Sequence, residues 1–91
     1  MTTSPTDRIR EHLETARIAV LAELEATIDP VQRQEAAREV LETLLPSLGA
    51  DVKALRARAV AELREGRSLA EVGQMLGGLS RGRVDQLLKS L

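Results

Sequence analysis

Residues 80–89, SRGRVDQLLK, hold two arginines, a glutamine and a lysine. A guanidinium can engage guanine bidentately or hold a phosphate, and a glutamine amide can pair with adenine. On a helix, Val84 and Leu87 would fill the inner side and leave Arg81, Gly82, Asp85, Gln86 and Lys89 facing outward, with Arg81 and Arg83 in the first turn. Such side chains recognise a polar surface. They carry no bond-breaking chemistry.

The parts of other chemistries are missing. There is no cysteine, hence no thiolate nucleophile, disulfide or thiolate metal site. The single histidine, His12, sits near Glu11 and Glu14 and reads as a surface residue on a helix. Ser47, Ser68 and Ser80 each precede a helical run and are explained as helix caps. No glycine-rich phosphate loop occurs, and the N-terminal carboxylates are spread around a solvated face. We expect no enzyme activity, no cofactor and no metal.

Composition narrows the remaining choices. Ninety-one residues allow one modest core, or a small domain with an oligomerising extension. Phe, Tyr and Trp are absent, so Leu, Val, Ile, Met and Ala must build that core. A chain without aromatics is poorly equipped to hold single-stranded nucleic acid, whose bases usually stack on rings. No apolar run reaches a membrane span and no signal-peptide core is present, so a cytoplasmic protein with no membrane partner is expected. Charge is divided: five Arg against nine acids give −4 over residues 1–50, and eight Lys and Arg against five acids give +3 over 51–91. Attraction to nucleic acid is therefore confined to the C-terminal half.

The elements that must position SRGR read as five helices and no strand. The first is capped by Ser4, with Pro5 in its first turn, and its Ile9, Leu13, Ala16, Val20, Leu24 and Ile28 recur at steps of 4, 3, 4, 4 and 4 as one stripe. At DPVQ, Asp29 caps the second helix, Pro30 fits its first turn and Gln32 completes a capping box. That helix runs to about Leu45, with Ala37, Val40, Leu41, Leu44 and Leu48 on one side, and Pro46 and Gly49 break or kink it. A third, about 51–65, shows Val52, Leu55, Ala59, Val60 and Leu63 on one side, while Ala54, Ala57 and Ala61 on its back allow close approach of another helix. Gly66 ends it. Ser68 and Glu71 form a capping box for the fourth, which points Leu69, Val72 and Leu76 inward. Ser80 caps the fifth, with Val84, Leu87, Leu88 and Leu91 as its buried side. Gly73, in mid-helix, costs about 1 kcal/mol relative to alanine, and close crossing of helix five over helix four is the natural compensation. Residues 1–3 alone read as disordered.

A glycine-containing turn between the last two of three helices is the helix-turn-helix pattern. SLAEVGQMLGGLSRGRVDQLLK resembles the helix-turn-helix of bacterial sigma-factor region 4 and the small regulators built on it, over about residues 51–91. The match lies in Leu69, Glu71, Val72 and Gly73, then in Ser80, Arg81, Arg83, Val84 and Gln86. The resemblance implies that Arg81 and Gln86 reach base edges, while Arg83 and the start of helix four hold the backbone. The turn is one residue longer than the family's, Gly82 replaces a long polar side chain, and Asp85 stands where a basic residue is common. Promoter −35 recognition does not carry over.

The expectation is an all-α protein: a helical hairpin over 1–50, serving dimerisation, and a tri-helical helix-turn-helix domain over 51–91. It would bind double-stranded DNA as a transcriptional regulator or nucleoid-associated protein. The DNA-contacting set is Arg67, Ser68, Ser80, Arg81, Gly82, Arg83, Gln86 and Lys89. A homodimer would form through Ile9, Leu13, Val20, Leu24, Val40 and Leu44; in the alternative, the hairpin folds back on helix three as a five-helix monomer. The competing function is a protein-interaction adaptor that binds RNA polymerase, a sigma factor or another regulator without touching DNA.

Overall fold

The computed structural model describes residues 4–89, whose regular structure is all helical, without a strand. Residues 1–3, expected to be disordered, and Leu91, expected on the buried side of the last helix, lie outside the described residues. The elements are α1 (Pro5–Ala26), α2 (Pro30–Glu39), a π-helical segment (Val40–Leu44), α3 (Leu45–Arg64), α4 (Leu69–Met75) and α5 (Arg81–Leu88). The chain divides into two compact units, Met1–Thr43 and Leu44–Leu91.

The expected break at Pro46 and Gly49 does not occur. Helical backbone runs from α2 through the π segment into α3 without a loop. Proline cannot donate to the carbonyl four residues back, and its ring crowds that carbonyl. Loosening the preceding turn to the i→i+5 register takes up both defects and lets the helix continue. Gly49 is accordingly an ordinary helical residue, and a Cβ added there would meet nothing within 4 Å. Gly49→Ala should therefore raise the stability of residues 44–91 by about 0.5–1 kcal/mol. Urea denaturation checks this, and a neutral or negative change would mean the helix is strained there.

In the N-terminal unit, α1 packs along α2. Ser4 caps α1 by accepting from the Asp7 N–H at 3.1 Å. The turn into α2 is held by Thr27, whose hydroxyl donates to the Glu23 carbonyl at 2.8 Å, and by Arg33, which donates to the Thr27 carbonyl at 3.3 Å. Asp29 caps α2 through the Val31 N–H at 3.1 Å, rather than through a reciprocal box with Gln32. Neither α1 nor α2 contains a buried residue. Among the described residues, this unit has no core of its own.

The C-terminal unit does have one. Ala57, Val60, Val72, Val84 and Leu87 are buried, and Leu63, Leu69, Leu76, Leu79 and Leu88 close around them. Helices α3, α4 and α5 each pack against the other two. The inner face of α3 includes only Val60 and Leu63 of the side its large residues suggest. Ala57 and Val60 face α4 and α5, with Ala54 and Ala61 half-buried, while Val52, Leu55 and Ala59 are exposed. Small side chains let the shorter helices approach the α3 backbone closely, so the alanine side meets them together with Val60 and Leu63 at its edge, while Val52, Leu55 and Ala59 are left outside.

Candidate nucleic-acid interface

Four glycines and two serines position α5. Gly66, at φ 69, ends α3 in the left-handed conformation. Ser68 then accepts from the Glu71 N–H at 3.1 Å, and Glu71 reaches back to the Ser68 N–H at 3.5 Å, which completes the expected capping box. Beyond α4, Gly77 and Gly78 lie at φ 86 and 93, a pair of consecutive left-handed residues that side chains rarely adopt. The turn they make returns Leu79 to α4, where the Gly78 and Leu79 N–H groups both donate to the Gly73 carbonyl at 2.9 Å.

Gly73 is needed for a reason other than helix crossing. A Cβ on Gly73 would collide with the Leu79 carbonyl oxygen, while Val84, on α5, would stand at an ordinary 3.7 Å. The close approach is made by the backbone of the turn. That contact fixes where Ser80 begins α5, and Ser80 caps it by accepting from the Arg83 N–H at 3.1 Å.

With Val84 and Leu87 buried, the helical repeat of about 100° per residue puts Gly82, Gln86 and Lys89 at the centre of the outward face. Arg81 and Arg83 stand on its two flanks, and all five residues are exposed. Arg83 donates to the Gln86 side-chain oxygen at 3.4 Å, and Lys89 pairs with Asp85 at 3.2 Å. A Cβ added to Gly82 would meet nothing within 4 Å, so no packing demands glycine there and the backbone lies bare at the middle of the face. Arg81 makes no side-chain hydrogen bond or ion pair among the described residues.

The start of α4 is less open. The Arg67 guanidinium donates to the Leu63 carbonyl at 3.0 Å, and Arg64 donates to the Arg67 carbonyl, so both arginines brace the loop. The Glu71 carboxylate occupies the N-terminus of α4, and it also accepts from the Ser68 hydroxyl at 3.1 Å. The brace and the Asp85–Lys89 pair are the contributions that sequence reasoning did not single out. The i, i+4 spacing signals the Asp85–Lys89 pair, whereas the brace ends on backbone carbonyls that residue spacing does not reveal.

The residues expected to form a dimer interface are largely uncovered. Ile9, Leu13, Val20 and Leu44 are exposed, and Leu24 and Val40 are half-buried. Among the described residues no group of three His, Asp or Glu side chains could hold a metal ion, and no helix is long and apolar enough to cross a membrane. Comparison with protein-family models, with curated proteins and with solved structures finds no match to this chain.

Proposed function

We propose that this chain is a non-catalytic, double-stranded DNA-binding protein, a regulator or nucleoid-associated protein that inserts α5 in the major groove. The supporting observation is the outward face of α5. Gly82, Gln86 and Lys89 occupy its centre and two arginines its edges, on a helix anchored from behind by Val84 and Leu87. A helix enters the groove only if its exposed side is polar and its other side is firmly held. The net charge of +3 over residues 51–91 supplies the attraction to phosphate.

In this reading α3, α4 and α5 act as a helix-turn-helix of the sigma-factor region 4 type, and the N-terminal hairpin serves assembly. Arg81 and Gln86 read bases; Arg83 and Lys89 hold phosphates, with Ser80, Gly82 and the Arg67–Ser68 loop at the margins. The absence of any buried residue in α1 and α2 supports a homodimer, because a hairpin without a core gains its stability from a partner. Two recognition helices would then address two half-sites.

The roles separate by mutation. Arg81→Ala should weaken the preferred sequence most and flatten discrimination at one base position, whereas Lys89→Ala should weaken all sequences alike and reduce the salt slope by about 1. Selection from random duplexes, followed by titration of single sites, measures both. Equal losses on every sequence for both variants would remove the base-reading role from Arg81. Binding of a protein partner without DNA binding would favour the adaptor function instead.

A further inference from the structure

Leu45, Leu48, Val52 and Leu55 are 52, 46, 55 and 57% exposed, a continuous apolar strip on one helix in a chain whose core is small. Their steps are 3, 4 and 3, and Ala59 follows after 4 more. This is the spacing of a coiled-coil seam, with Leu45, Val52 and Ala59 at the a positions and Leu48 and Leu55 at the d positions. The strip lies on the side of α3 away from Ala57, so the packing of α4 and α5 leaves it open.

We propose that this strip pairs with the same strip of a second copy of the chain, in parallel orientation. The partner is identified by what flanks the seam. In this frame Asp51 occupies a g position and Arg56 an e position, and neither joins an ion pair among the described residues. Parallel pairing sets Asp51 against the partner subunit's Arg56, and the reverse, giving two complementary pairs. Antiparallel pairing that buries all four large residues sets Asp51 against the partner subunit's Asp51. The next antiparallel register sets Leu45 against the partner subunit's Glu62. A branched a residue, Val52, between d leucines also suits a parallel two-stranded seam.

The pairing extends the homodimer proposed above to a surface that the hairpin does not include. It joins the two copies next to their α4–α5 pairs and brings both α5 helices to the same end of the seam, where one duplex can meet both.

A chain without cysteine makes the test direct. Leu55→Cys places one thiol per copy in a d layer. In the parallel pair the two thiols face each other within disulfide reach, whereas the antiparallel pairing that buries all four large residues separates them by about 15 Å along the axis. Mild oxidation of the full-length variant, without DNA, should give a disulfide-linked dimer as the main species, and Lys53→Cys, outside the seam, should not. Light scattering should find the unmodified protein dimeric and Val52→Glu shifted toward monomer, with unchanged helical circular dichroism because Val52 is exposed in the single chain. A dimer in which Leu55→Cys fails to cross-link would overturn the parallel seam while leaving the hairpin dimer standing. A monomeric protein would overturn both, and DNA binding would be judged separately.

Discussion

Gly73→Ala is expected to destabilise residues 44–91 by about 2–3 kcal/mol, the upper part of the usual cost of forcing atoms into a filled site. The added methyl would run into the Leu79 carbonyl, which is backbone and cannot rotate aside. Relief requires the turn to lift off α4, and lifting it breaks the bonds from Gly78 and Leu79 to the Gly73 carbonyl. A core as small as this one supplies only about 3–5 kcal/mol, so the loss takes most of it. Thermal or urea unfolding would show a large fall in the midpoint for Gly73→Ala, against the small rise for Gly49→Ala. An unchanged midpoint would mean that the turn is not seated on α4. The helix propensity of alanine favours both variants equally, so the contrast isolates the contact.

Arg81→Ala combined with Arg83→Ala should lower DNA affinity on the order of 10- to 100-fold, with the fold intact. Both side chains are exposed on the flanks of α5. A bidentate arginine–guanine pair contributes about 1–3 kcal/mol of discrimination, and loss of one phosphate contact reduces the salt slope by about 1. The double variant should therefore lose affinity and salt dependence together while its urea midpoint stays in place. The Ser80 cap accepts from the Arg83 backbone, which alanine keeps. Retained affinity in the double variant would leave the arginines as a solvated face.

Much of the C-terminal unit was legible from residue types. Ser68 with Glu71, Ser80, and the glycines at 66, 77 and 78 announce caps and turns by chemistry that depends on few neighbours. The inner residues of α4 and α5 follow from spacing because each short helix has a single apolar side. Three features needed the tertiary structure. Pro46 reads as a break because a proline normally ends a helix, and only the π segment ahead of it explains why this one does not. Helix α3 carries two candidate inner faces, one of large residues and one of alanines, and spacing cannot choose between them. Gly73 was marked as costly in a helix, but the atom requiring it belongs to Leu79, in a turn whose path no periodicity predicts. For the interface, the outward set on α5 was readable, whereas the bracing of Arg67 and the carboxylate of Glu71 at the start of α4 move weight from that loop to α5.

Duplex binding by the outward face of α5 is tested most directly by equilibrium binding to random-sequence duplex over a range of salt concentrations. Binding should weaken linearly on logarithmic axes, by about 0.9 in slope per phosphate neutralised, and the Arg81→Ala, Arg83→Ala variant should show a shallower line at lower affinity. Absence of binding at low salt, or binding that neither salt nor the two substitutions affect, would contradict that role of α5.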